Sequence, residues 1–164
     1  MNAFENQVDD MIAYDAALFA PGNVSRARIR GVEAVAGTTL AQWDVAATAT
    51  WLDPRNESDD ANHGNLLARR ARDSVRVDAD RHFGALSTGA SVYVVDKRFD
   101  DLGNTRELGG YALTDVRVAY ALSAAWKLQL SANNVFDRHY ETAAFYNQPG
   151  RNYLLTASWR PSSR

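Results

Sequence analysis

The residues of this chain able to do chemistry are scattered. His63, His82 and His139 are its only imidazoles. No HExxH pair and no nucleophile elbow occurs, so zinc-hydrolase and serine-hydrolase chemistries lack their spacing. Ser131 and His139 fall on a strand and in a loop, at different heights. The stretch Glu57, Asp59, Asp60, Asn62 offers oxygen ligands of the kind calcium takes. It lacks the spaced D-x-D-x-D-G order and the closing bidentate glutamate, so it reads as a solvated loop. Glu33 stands near Arg28 and Arg30, which suits an ion pair to a neighbouring strand better than catalysis. Asn134, Asp137 and Tyr140 sit where a strand meets a loop. Asn and Asp there bond nearby backbone and accept unusual angles, a rim role. The remaining polar and aromatic groups cluster in loops. They are Tyr146, Asn147, Gln148 and Arg151 in the last loop, and Arg98, Asp100, Asn104 and Arg106 in an earlier one. This set suits binding a large polar ligand. Neither a metal nor an organic cofactor is expected.

The elements that must position these groups alternate with period two, the repeat of a strand. Residues 43–52 place Trp43, Val45, Ala47, Ala49 and Trp51 on one face, with Asp44, Thr48 and Thr50 opposite. Residues 69–83 place Val75, Val77 and Ala79 against Arg76, Asp78 and Asp80. A helix through Leu66, Leu67, Arg70 and Ala71 competes there, but unbroken alternation and β-branched valines favour a strand. Residues 86–96, 111–122 and a segment from Trp126 follow the same rule. Residues 4–14 are the weakest case, marked by Phe4, Val8 and Ile12. In 24–38 the apolar phase slips near Gly31, which predicts a bulge or kink. The last segment puts Tyr153, Leu155, Ala157 and Trp159 on one face and Asn152, Thr156 and Ser158 on the other.

Eight strands follow. Their loops alternate long and short. The long ones are 15–23 (carrying the Pro21-Gly22 turn signal), 53–65, 97–110 and 138–150. The short ones are 39–42, the turn at Phe83-Gly84, and 123–125. Outer-membrane β-barrels have short periplasmic turns and long external loops, with aromatic girdles at both interfaces. The expected fold is therefore all-β, an antiparallel up-and-down transmembrane barrel segment of about eight strands.

Composition narrows the classes. The 164 residues carry a net charge of −2, without the basic surplus of a nucleic-acid binder. Aromatics at 10% argue against disorder. The absence of cysteine excludes disulfides, thiolate metal sites and a cysteine nucleophile. No run nears the length of a membrane helix, but barrel strands dilute hydropathy by facing water at every second residue. No secretory signal opens the chain, so it is expected to be part of a longer protein.

Three stretches carry a resemblance. They are Arg26-Ala27-Arg28-Ile29-Arg30-Gly31-Val32-Glu33-Ala34, Asn133-Asn134-Val135-Phe136-Asp137-Arg138-His139-Tyr140-Glu141, and Pro149-Gly150-Arg151-Asn152-Tyr153 leading into the closing strand. In order, spacing and position they resemble the C-terminal third of TonB-dependent outer-membrane receptors, over essentially the whole chain. Phe145-Tyr146-Asn147-Gln148-Pro149-Gly150-Arg151 with Leu67-Ala68-Arg69-Arg70-Ala71 looks most like the cobalamin transporters. Siderophore receptors share the same barrel ending.

The resemblance implies the following expectations. Residues 1–159 form barrel wall, and 160–164 are a short polar tail. Gly31, Glu33, Asn134, Phe136, Asp137 and Tyr140 carry structural motifs. Tyr153, Leu155, Ala157 and Trp159 form the signal read by the barrel-assembly machinery, although the family's terminal aromatic is usually Phe. The plug domain, the remaining strands and the TonB contact lie outside these residues. Outer-membrane lipid, TonB and a ligand such as cobalamin are the implied partners. Two other readings of the strand pattern stay open: a complete eight-stranded outer-membrane barrel with a structural or adhesive role, and a soluble lipocalin-like binder.

Overall fold

The structure is a computed structural model describing residues 1–15 and 20–161. Eight strands form one antiparallel sheet, each hydrogen-bonded to its neighbour in sequence among the long strands. They are β1 (Asn2–Asp15), β2 (Ala20–Leu40), β3 (Trp43–Asn56), β4 (Asp73–Phe83), β5 (Leu86–Val95), β8 (Tyr111–Ala121), β9 (Trp126–Asn133) and β12 (Asn152–Trp159). Two small hairpins lie within the loops: β6 (Arg98–Phe99) with β7 (Glu107–Leu108), and β10 (Glu141–Ala143) with β11 (Tyr146–Asn147). β1 and β12 are the two edges, so the sheet is an open wall.

Register makes the two faces consistent across strands. Trp43 pairs Arg81, Val45 pairs Ala79 and Ala47 pairs Val77. Val77 pairs Val92, Val92 pairs Thr114, and Val118 pairs Leu130, which pairs Leu155. This face is apolar from β2 to β12 and nothing in the described residues covers it; Val75, Val118, Leu130 and Trp159 are all exposed. A soluble barrel would turn such a face inward, so the lipocalin-like reading loses its support. Trp43, Phe83, Tyr120, Trp126 and Trp159 mark its short-turn end, and Trp51 and Tyr153 the opposite end, as two girdles would.

The opposite face is polar and self-paired. Arg76 donates from Nε and Nη2 to Asp78, each at 2.7 Å. Arg117 forks onto Asp80 of β4 from two strands away, reaching across Gly89. A Cβ at Gly89 would collide with both partners, so glycine keeps this passage open. Ser91 donates to Asp78 at 2.6 Å and accepts from Arg117 at 2.9 Å.

Several boundaries differ from expectation. β1 and β2 run further than the alternation suggests, and Pro21-Gly22 lie inside β2, facing Tyr14 and Ala13. Pro21 is tolerated because this stretch of β2 has a partner on one side only; pairing with β3 begins at Ala27. Residues 16–19, within the loop expected at 15–23, fall outside the described residues. No bulge interrupts Gly31, which pairs Phe4 on one side and Leu52 on the other in continuous register. The phase slip has another cause. Ala27 and Ile29 pack towards a small core above the membrane band, whereas Val32, Ala34 and Ala36 face lipid from the other parity. β3 continues to Asn56, and β4 starts at Asp73 instead of Arg69. Residues 66–72 form neither helix nor strand, because Leu67 is drawn into that core with Val24, Ala27 and Leu102.

Candidate functional site: the outer rim

The three long loops described, 57–72, 96–110 and 134–151, emerge at the same end and are tied together by backbone-directed side chains. In the first, Ser58 is buried; its hydroxyl accepts from the Arg26 N–H at 3.0 Å and donates to the Arg26 carbonyl at 3.2 Å. Asp60 accepts from the Asn62 N–H at 2.8 Å, and Glu57 pairs with Arg28 at 3.0 Å. The acidic stretch is thus engaged in turn geometry, and no metal-holding cluster occurs among the described residues.

The second loop is organised by Asp101. Its carboxylate accepts from the Thr105 N–H, the Thr105 hydroxyl and the Arg106 N–H at 2.8–3.0 Å. Burial pushes this carboxyl up, but the two backbone amides and the hydroxyl outweigh it and hold it below the usual aspartate range. Asn104 sits at φ 55° and clamps the loops together. It accepts from the Leu66 N–H at 2.8 Å and donates to the Leu66 carbonyl at 2.9 Å. Arg69 adds a 2.7 Å bond to the buried Asp100.

The third loop hangs on Asn134, which is buried at φ 50°. Its N–H donates to Asp115 on the polar face at 2.8 Å, while its side chain accepts from the Arg138 N–H and donates to the Arg138 carbonyl. Asp137, at φ 53°, accepts from the Arg151 N–H at 2.8 Å and would meet a Cβ at Gly150 at 2.7 Å. Tyr140 stacks on Tyr111 at 4.3 Å, and burial followed by the Tyr111 and Asp115 charges pushes its phenol up. Phe136 is exposed at the outer end of β9.

The eight loop residues named from the sequence divide accordingly, with Asp100 buried as the partner of Arg69. Tyr146, Asn147, Arg151 and Arg106 are exposed at the rim. Gln148 donates to Thr142 at 3.0 Å. Arg106 lies over the Phe145 ring at 4.7 Å, joining the second and third described loops. Arg98 lies over Tyr111 at 5.3 Å, so Arg98, Tyr111 and Tyr140 form one continuous stack. Asn104 is committed to Leu66 and acts as scaffold. Glu33 is exposed on the polar face and has no ion-pair partner among the described residues; Arg28 and Arg30 pair with Glu57 and Glu5 instead. Sequence reasoning missed Asp101, Tyr111 and Phe145. Asp101 had a legible signal, an aspartate followed by Thr105 in a glycine-containing turn. The aromatic partners had none, because their contacts cross between loops.

The chain has relatives. The family described as TonB dependent receptor-like, beta-barrel, matches residues 1–135. The vitamin B12 transporter BtuB of Vibrio vulnificus (strain YJ016) is 31% identical over 98% of this chain and 27% of its own length. The ferric preacinetobactin receptor BauA of Acinetobacter baumannii shares the fold with a TM-score of 0.77 at 19% identity, over 96% of this chain and 26% of that one. The copper transporter OprC does so with 0.76 at 22%, over 96% and 27%. The chain therefore spans about a quarter of the length of the relatives it matches and belongs to the TonB-dependent receptor family, as wall of a Gram-negative outer-membrane β-barrel.

Proposed function

We propose that this wall belongs to an active transporter that takes up a large, scarce ligand, cobalamin, with energy delivered through TonB. The 31% identity to the vitamin B12 transporter along nearly the whole chain carries the choice of ligand. The solved structures share fold alone at about a fifth identity and do not favour a metal chelate. In this reading the outer loops bind, and nothing is done chemically to the ligand. Tyr146, Asn147, Gln148, Arg151 and Arg106 present amphipathic contacts, and the Arg98–Tyr111–Tyr140 stack stiffens the floor beneath them. Asn104, Asn134 and Asp137 hold the loops in place, which lowers the ordering cost on binding. The polar face would meet the plug supplied by the rest of the receptor, with Glu33 available to it. The outward aromatics of β12 would be what the barrel-assembly machinery reads.

The test replaces the C-terminal quarter of the Vibrio vulnificus transporter with this chain, in a strain lacking its own cobalamin receptor. Uptake of cyanocobalamin at nanomolar supply is expected. Tyr146→Ala with Arg106→Ala should raise the half-saturating concentration about tenfold, the size of a truncated binding anchor. A correctly inserted hybrid that takes up no cobalamin, or one indifferent to the double substitution, would sink the ligand assignment. Growth on ferric chelates instead would point to a siderophore.

A further inference from the structure

Asp73 pairs Trp51 on the outward face at the long-loop girdle. Between that girdle and the short turns the face is free of charge from β2 to β12, with one exception among the described residues. That exception is Arg81, placed outward by its pairing with Trp43 and Thr88. A charge facing lipid is costly at mid-bilayer and cheap only near an interface. Arg81 is near one: it stands two residues before Phe83, the last residue of β4, at the short-turn end of the wall. Its guanidinium lies over the Phe83 ring at 4.6 Å and the Trp43 ring at 5.8 Å. Nη2 donates to Gln42 in the neighbouring turn at 3.0 Å. Nε is buried without a hydrogen-bond partner.

What the site lacks is an anion. Arg76 and Arg117, on the polar face, each have a carboxylate of their own. Arg81 has none among the described residues, although Asp80 is its neighbour in sequence, because Asp80 points to the opposite face and is taken by Arg117. The rings hold the guanidinium plane and leave its remaining N–H groups to the lipid side. At that level of a bilayer the groups that meet an outward cation are headgroup phosphates.

We propose that Arg81, with Gln42 and the Trp43 and Phe83 rings, binds the phosphate of an inner-leaflet phospholipid, whose acyl chains lie along Ala79 and Val45. This rests on the outer-membrane placement and is independent of the transported ligand. The apolar face below the guanidinium continues from Ala79 and Val45 to Val77 and Ala47, giving the chains a matching surface. The fork geometry of arginine suits phosphate oxygens better than a point charge would.

The experiment uses the hybrid barrel described above, folded as judged by its heat-modifiable gel mobility, and native mass spectrometry from an uncharged detergent. Phosphatidylglycerol is compared with a phosphate-free galactosyl diacylglycerol. The wild-type barrel should retain phosphatidylglycerol in preference to the galactolipid. Arg81→Ala should cut that preference about fivefold, the worth of one basic residue at an anionic surface. Arg81→Lys should restore part of it, since charge returns without the fork. Equal retention of both lipids by the wild type, or undiminished preference in Arg81→Ala, would overturn the proposal. So would displacement of the lipid by millimolar inorganic phosphate, which would mark a free-anion site.

Discussion

At the residue scale the rim is held by side chains that stand in for backbone. Asp101 gathers three donors, and Asn134 gathers bonds from its own loop while its amide reaches Asp115. Asp101 carries a pH prediction. Its folded carboxyl lies below the ordinary value of about 3.9, so the stability it adds is complete above that value. That stability is lost as pH falls through the lower, folded value. Amide-exchange protection of Thr105 and Arg106 should therefore hold down to about pH 4 and decline only below it. Asp101→Asn keeps one acceptor oxygen but no charge, so its protection should be weaker and flat across the same range. If that variant loosened in acid as the wild type does, another group would be responsible. Asn134 and Asp137 were legible as rim residues because Asn and Asp are the types that accept φ near 50° and bond nearby backbone. The commitment of Asn104 to Leu66 was not legible, since the partners lie in different loops and no local spacing encodes the contact.

At the element scale, period-two patterning located every long strand but not every end. Alternation reports which side of a strand is wet, and it fades where both sides meet protein. β3 therefore continues into Asn56 and β2 starts at Ala20 without an apolar signature. Gly31 shows what the pattern conceals. A Cβ there would lie 2.6 Å from Phe4 Cζ and 2.8 Å from Leu52 Cδ2, so the glycine is a seat for the Phe4 ring. The ring covers backbone that a glycine leaves open on a strand. Both obstacles are ends of flexible side chains, so Gly31→Ala should be accepted with Phe4 displaced, at about 1–3 kcal/mol. Unfolding of the hybrid barrel by denaturant would measure this loss. Phe4→Ala added to Gly31→Ala should recover part of it, because the collision is then gone. Strictly additive losses in the double variant would show that the glycine serves some other purpose.

At the scale of the whole molecule, the same feature decides both location and autonomy. The apolar face identifies the membrane as this sheet's second layer, and the polar face needs no core because Arg76 and Arg117 find carboxylates on that same face. Eight strands at about 4.8 Å each make a wall roughly 38 Å wide. Its two edges, β1 and β12, do not pair with each other. Every second residue of β12 turns its N–H and C=O away from β9. In hydrocarbon each such group left unpaired costs several kcal/mol, which no girdle contact such as the 6.4 Å Trp126–Trp159 pair can offset. The isolated chain should therefore fail to give a heat-modifiable, protease-resistant species in detergent micelles or in vesicles. Mixing it with the complementary N-terminal part of a relative's barrel should produce one, because strands on both sides then take up the edges. A compact, heat-modifiable form from the chain alone would mean that β1 and β12 can meet, and that a small closed barrel is within reach of this sequence.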